Sequence, residues 1–381
     1  VPYPHFKELR PAYGFDDVAI APGRITVNPE MVDISMKIEG VKLPVPFLAS
    51  AMDAVVSPGF AVKMHDLGGL AVLNLDGLQT RYEDTDHLFM EIAETTQDKA
   101  TAFLQKVYAT PVREDLIGLR VQQIKKGGAT CAVSVIPANT KRVAPVAVEA
   151  GADLIFVQST VTTARHVSKS VRGLIFSELR QNVKAPIVVG NTVSYDVTLE
   201  LMEQGVSGVL VGVGPGAACT SREVLGIGVP QVTATIDCAA ARNEYFRRTG
   251  RYVPIITDGG LRTGGDVCKA IVAGADAVML GTPFAQAEEA PGRGYNWGMA
   301  TPHDSLPRGT RIKVGTKAPL KTILHGPSHL TDGTQNLVGA VKISMGMVGA
   351  MNLNEMHDAE MIIAPSIKTE GKIFQMRGLG S

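Results

Sequence analysis

Short runs of four to six mainly apolar residues recur along the chain, each fed by a polar stretch and a small glycine-containing turn. They lie at 48–53, 70–74, 131–136, 153–158, 187–191, 209–214, 255–258 and 277–281, and most end on a polar residue or glycine. Their apolar character is continuous, without the alternation of a half-exposed sheet, which predicts strands buried on both faces. The feeding turns resemble one another: LGGLAVL at 67–73, GGATCAV at 127–133, AGADLIFV at 150–157 and AGADAVML at 273–280. A glycine suits the position just past a helix C-terminus, so the intervening polar stretches predict helices. Eight such units predict an α/β fold of the TIM (β/α)8 barrel type, with a doubly wound sheet as the alternative.

In a barrel, chemistry belongs to the loops that follow the strands. Here those loops carry Ser50-Ala51-Met52-Asp53, Asn191, Cys219, Asp258-Gly259-Gly260 and Gly281-Thr282. Two stretches depart from the repeat. Residues 75–116, with TRYEDTDHLFMEIAETTQDK, read as a charged helical excursion between the second and third strands, a solvated surface element. Residues 285–325 are rich in glycine, proline and basic residues and read as a flap or finger after the last strand. One barrel domain spanning 1–381 accommodates both.

Composition narrows the function classes. Lysine plus arginine (37) equal aspartate plus glutamate (37), so no global basic field favours nucleic acid or an anionic membrane, and a small-molecule ligand is the default. The four cysteines, Cys131, Cys219, Cys238 and Cys268, are widely spaced with no CxxC pair, against a zinc site and against a disulfide framework. A reducing cytoplasm is the expected setting. No apolar run reaches transmembrane length, and the first residues lack the blocks of a signal peptide.

The stretch GVGPGAACTSREVLGIGVPQ at 212–231 places Cys219 in a glycine-rich loop directly after a strand. Such a loop lets backbone approach a ligand closely, so a thiolate and a substrate can meet there. A buried core thiol is the competing reading, and the strand-end position favours the nucleophile. The seventh and eighth strands end in Asp258-Gly259-Gly260 and Gly281-Thr282. Backbone amides of Gly260, Gly281 and Thr282 can bind phosphate oxygens, and the Asp258 carboxylate can accept both hydroxyls of a ribose. Together they predict a nucleotide.

At these residues the chain resembles the IMP dehydrogenase/GMP reductase family. Similar stretches are the cysteine loop, FDDVAIAPG at 15–23, SAMDAV at 50–55, VVGNTVS at 188–194, TDGGLRTGGDVCKAIVAGADAVMLG at 257–281 and SMGMVGA at 344–350. The resemblance implies that Cys219 attacks carbon 2 of IMP, that hydride passes to NAD, and that the covalent intermediate is hydrolysed to XMP in guanine nucleotide biosynthesis. It places Ser50, Met52 and Asn191 in the nucleotide pocket, Gly298, Met299 and Gly309 near the base, and Tyr295 at the phosphate. It further implies a monovalent cation such as potassium on the carbonyls of Gly214, Gly216 and Cys219, and a homotetramer.

Four departures from the family pattern bear on the reaction. Residues 75–116 are too short for the pair of CBS domains that many IMP dehydrogenases insert there, which argues against nucleotide sensing by that route. Ala217 replaces a phosphate-binding serine. The flap, MATPHDSLPRGT, has no Arg-Tyr pair to activate water, leaving Arg308 or Arg311 as the available cations, and Arg308 with Ser221 occupies the place of the glutamate and threonine that GMP reductases use. Arginine is a poor acid for releasing ammonia, which favours the dehydrogenase over a GMP reductase running from GMP to IMP with NADPH. Gln158 and Ser159 stand where an aspartate usually meets the nicotinamide ribose, which weakens the inference of NAD over NADP. A purine-nucleotide-binding paralogue without turnover is the non-enzymatic alternative. His166, His303 and His325 read as surface or loop residues.

Overall fold

Eight parallel strands close into a barrel in the computed structural model, which describes residues 7–167, 174–298 and 310–366. They are β1 (Phe47–Ala49), β2 (Leu70–Asn74), β3 (Ala132–Val135), β4 (Leu154–Gln158), β5 (Ile187–Thr192), β6 (Gly208–Val211), β7 (Ile255–Asp258) and β8 (Ala277–Leu280). Each strand pairs with its successor, and β8 pairs with β1 to complete the ring. Every strand residue is buried except Asp258, the last residue of β7. The predicted TIM barrel is therefore the observed fold, and the double-sided burial that marked its strands is its core.

Eight helices surround the ring: α1 (Pro58–Asp66), α2 (Glu114–Lys126), α3 (Thr140–Glu149), α4 (Phe176–Asn182), α5 (Tyr195–Glu203), α6 (Gln231–Thr249), α7 (Gly264–Val272) and α8 (Leu337–Val348). Their apolar residues face the strands and leave charge outside, which joins helices and strands in one continuous core. Below the barrel, the hairpin of Met36–Ile38 and Val41–Leu43 sends Glu39 to Arg180, Arg251 and Ser207, which precede β5, β7 and β6. That anchored hairpin leaves the opposite rim for chemistry.

Two strands end at least three residues before their apolar runs do. The chain turns after Ala49, where the Met52 amide donates back to the Ser50 carbonyl at 2.7 Å. It leaves the sheet again after Val211. Both early exits turn side chains into the barrel mouth.

The excursion after β2 folds as two helices, Asp86–Glu94 and Gln97–Tyr108. It is not a solvated element. Leu88, Phe89, Ile92, Leu104, Val107 and Tyr108 bury a shared face with Trp297 in a second apolar cluster. Those positions recur at helical spacing, and the many intervening charges masked them. After β8 the chain forms a short helix, Thr282–Ala285, then an antiparallel ladder of Tyr295–Asn296 with Ile312–Lys313 and a helix, Leu320–His325.

The glycine turns offer a controlled comparison. Gly151, after α3, and Gly274, after α7, both have φ of +110°, but a side chain at Gly274 would place its Cβ 2.4 Å from Ala239 Cβ on α6. At Gly151 the nearest atom is Lys125 Cγ at 3.6 Å. Gly151→Ala is expected to cost about 1 kcal/mol through backbone strain alone, and Gly274→Ala about 2 kcal/mol more through overlap. Denaturant unfolding of the two variants measures the difference; equal losses would show that the α6–α7 contact yields freely.

Candidate active site

The nucleophile loop begins where β6 leaves the sheet. Gly212 has φ of +146°, and a Cβ there would lie 2.2 Å from the Asp258 carbonyl oxygen, so only glycine lets β6 and β7 approach this closely. The loop then folds on itself, with the Cys219 amide donating to the Gly216 carbonyl at 3.0 Å. Cys219 Sγ lies 3.3 Å from Ser221 Oγ, at the start of the short helix Ser221–Leu225. The other cysteines are buried in the core, and burial pushes the thiols of Cys131 and Cys238 up to about 12 and that of Cys268 to about 11. Cys219 is the one half-buried thiol, and it lines a cleft of about 930 Å³ at the barrel mouth.

Asp258 occupies the same cleft. Its Oδ2 accepts from Asn191 Nδ2 at 2.8 Å and from Gln158 Nε2 at 3.2 Å. Gln158 is itself oriented by the Ser134 hydroxyl, which donates to Gln158 Oε1 at 3.2 Å. Side chains from β3, β4, β5 and β7 thus converge on one carboxylate. Burial pushes Asp258 up to about 6, opposed by the two amide hydrogen bonds and by no cation. Its Oδ1 has no partner among the described residues, leaving acceptor capacity toward the cleft.

Ser50, Met52, Gly260, Gly281, Thr282 and Gly298 line the cleft as well. The backbone amides of Gly216, Ala217 and Gly260 have no acceptor among the described residues, so these donors are available to an anion. Ala217 itself is exposed, which puts the missing serine hydroxyl at the rim. Tyr295 does not line the cleft. Its ring packs under the Arg311 guanidinium at 4.4 Å, and its strand neighbour Asn296 faces the cleft instead. Adjacent strand residues point to opposite sides, so with Tyr295 turned to Arg311 the cleft position passes to Asn296. The buried Asn296 Oδ1 has no hydrogen-bond partner among the described residues.

A second part of the cleft lies between the loops after β3 and β4. Ile136, Pro137, Leu174 and Phe176 give it apolar walls, and Lys141 and His166 add polar and basic groups. At about 930 Å³ the whole cleft stands near the upper end for ligand pockets, with room for more than one ring system. Apolar walls beside a lysine suit a dinucleotide's ring and pyrophosphate. Gln158 and Ser159 both line the cleft; Gln158 Nε2 donates to Asp258, and the Ser159 hydroxyl donates to the Val161 carbonyl at 2.8 Å. For a monovalent cation, the carbonyls of Gly214 and Cys219 lack donors among the described residues while that of Gly216 accepts one, which fits part of a coordination shell.

Arg311 is committed elsewhere. Its guanidinium donates to the carbonyls of Ile92 and Thr95 in the excursion, so it does not supply a cation to the cleft. Met299, His303, Arg308 and Gly309 lie outside the described residues. Gln231 had no role in the sequence reading, although it closes the cysteine-loop motif. Its Nε2 donates to the carbonyls of Val211 at 2.7 Å and Asp258 at 3.0 Å, stapling the ends of β6 and β7. A buried amide at a helix start, following Pro230, was the available signal.

Among the described residues, no helix is long and apolar enough to cross a membrane. The family described as IMP dehydrogenase / GMP reductase domain matches residues 12–300. An uncharacterised oxidoreductase of Mycobacterium leprae is 40% identical over 367 residues, covering 94% of this chain and 98% of its own. Inosine-5'-monophosphate dehydrogenase of Methanocaldococcus jannaschii is 27% identical over 479 residues, covering 95% of each. The crystal structure of an IMP dehydrogenase/GMP reductase-like protein from Corynebacterium glutamicum superposes with a TM-score of 0.90 at 36% identity, covering 96% of this chain and 97% of that one. A closed barrel with a thiol and a carboxylate at one mouth, matched over its length, makes this chain an oxidoreductase of the IMP dehydrogenase/GMP reductase family.

Proposed function

We propose that the protein is an IMP dehydrogenase that oxidises IMP to XMP with NAD. The observation that carries this reading is the placement of Cys219 and Asp258 in one cleft, also lined by Gly216, Ala217 and Gly260, whose backbone amides have no acceptor among the described residues. Asp258 Oδ1 accepts the ribose hydroxyls, and those amides with Thr282 and Asn296 hold the phosphate, replacing the hydroxyl that Ala217 lacks. The purine then lies over Cys219. The Cys219 thiol gives up its proton to solvent, Sγ bonds to carbon 2, and the hydrogen on that carbon leaves as hydride. A nicotinamide dinucleotide would be held by Ile136, Phe176 and Lys141 and would supply the hydride acceptor. Water then adds at carbon 2, the carbon–sulfur bond breaks, and the thiol is restored as XMP departs.

In this reading the carbonyls of Gly214, Gly216 and Cys219 hold a potassium ion that supports the loop, and the protein works as a cytoplasmic homotetramer in guanine nucleotide biosynthesis. One observation favours a second reading, a nucleotide-binding protein that stalls at the adduct. Arg311 is buried against the excursion, so the second step has no cation from that residue.

Purified protein given IMP, NAD and potassium is expected to form NADH and XMP. Cys219→Ala is expected to lower turnover at least about a thousandfold while retaining IMP binding. Loss of binding with the fold intact would make the thiol structural. A covalent IMP adduct without turnover would select the second reading. NADPH oxidation with GMP and ammonia release would select a GMP reductase.

Asp258 also sets a pH dependence. Its value of about 6 lies above that of an unfolded aspartate, so between about pH 4 and 6 the native state binds the extra proton, and stability falls as pH rises through that window. Asp53, raised to about 6 by burial, has the same sign. Asp258→Asn removes one of these costs. It is expected to raise Tm by roughly 2 °C at pH 7.5 and by less than about 1 °C at pH 4.5, near the start of that window, while weakening IMP binding. An equal shift at both values would remove the carboxylate's ionisation as the cause.

A further inference from the structure

Two walls of the cleft are joined outside the barrel through one tyrosine. Asp53 directly follows Met52 in the turn after β1, and Trp297 directly precedes Gly298 on the other wall; both Met52 and Gly298 line the cleft. The Tyr108 hydroxyl, at the end of the excursion's second helix, donates to Asp53 Oδ2 at 2.5 Å and accepts from Trp297 Nε1 at 2.9 Å. Asp53 Oδ1 is held in turn by the Leu78 amide at 3.0 Å. Asp53, Tyr108 and Trp297 are all buried, so these bonds are shielded from competition by water. The same excursion grips the second strand of the ladder, where Gln97 Nε2 donates to the Arg311 carbonyl at 3.0 Å and Arg311 donates to the Thr95 carbonyl.

The geometry points to Tyr108 as a positioning residue for the nucleotide. Its hydroxyl fixes the Ser50–Met52 turn against Asn296–Gly298, and the helical excursion acts as a brace for both cleft walls. No atom of Tyr108 lines the cleft, so its effect passes through Asp53 and Trp297. Removing the hydroxyl leaves a buried carboxylate and a buried indole N–H each short of a partner, and the two walls lose their common reference. This inference rests on the nucleotide reading of the cleft for its functional consequence, and on the hydrogen bonds of Tyr108 alone for the brace.

Tyr108→Phe keeps the ring and removes the bridge; Trp297→Phe removes the donor from the other side and serves if the first variant folds poorly. Hydrogen–deuterium exchange of the unliganded proteins is expected to rise in peptides covering 50–56 and 292–298, with the strands of the barrel unchanged. Trp297 is the only tryptophan in the chain, so its emission reports the lost bond directly in Tyr108→Phe. Calorimetry is expected to show IMP bound about tenfold more weakly by either variant. Unchanged exchange in both peptides would overturn the brace, whatever the ligand. Altered exchange with IMP affinity within twofold of the parent would overturn the positioning role. Failure of the parent protein to bind IMP, GMP or XMP would instead sink the nucleotide reading, while exchange and emission still decide the brace.

Discussion

The barrel mouth is organised around a carboxylate held without a cation. Asp258 is the one strand residue of the barrel that is not fully buried, and its negative charge is supported by amide groups from Asn191 and Gln158. Amides are weaker stabilisers of charge than arginine or lysine, so the carboxyl sits near neutrality in its proton affinity, and one oxygen remains open to a ligand. Several local features answer to this arrangement. Ser134 orients Gln158, Gln231 ties the Asp258 peptide to the end of β6, and Gly212 allows the contact between those strands. The cysteine loop starts from that contact, so the position of the thiol is coupled to the position of the carboxylate.

Most of the frame was legible in the sequence because barrel strands are buried on both faces. Such burial writes continuous apolar runs, and all eight runs became strands. Strand ends were less legible. The runs at 48–53 and 209–214 continued past the sheet because Ala51 and Met52 pack on the core and Val213 stays buried after the backbone has turned. The excursion at 75–116 was misread for the opposite reason. Its buried face is narrow and interrupted by many charges, and the partner that covers it, Trp297, lies almost two hundred residues further on.

Site residues divide along the same line. Cys219, Asp258, Asn191 and the glycine loops lie on strand ends, so topology alone brought them to one rim. Gln158 was also on a strand end, but strand position does not reveal whether a long amide reaches inward to a carboxylate or outward to a second ligand. Tyr295 and Asn296 were separable only by the parity of a two-residue ladder. Gln231 acts through its amide on two backbone carbonyls, an interaction with no sequence signature beyond a polar residue at a helix start.

The excursion changes how the second wall of the cleft is understood. In a plain barrel, a segment following the last strand is held at its two ends by the barrel alone. Here both strands of the 295–313 ladder are tied to helices that emerge after β2: Trp297 through Tyr108, and Arg311 through the carbonyls at the end of helix Asp86–Glu94. Arg311 gives up any role in the cleft to make that attachment, since a buried guanidinium engaged by carbonyls cannot also reach a reacting water. The withdrawal of Arg311 from the cleft and the helices found in the excursion are therefore linked. The chain has used an arginine of this region to fasten the cleft wall, so water activation in a dehydrogenase must come from groups beyond Arg311.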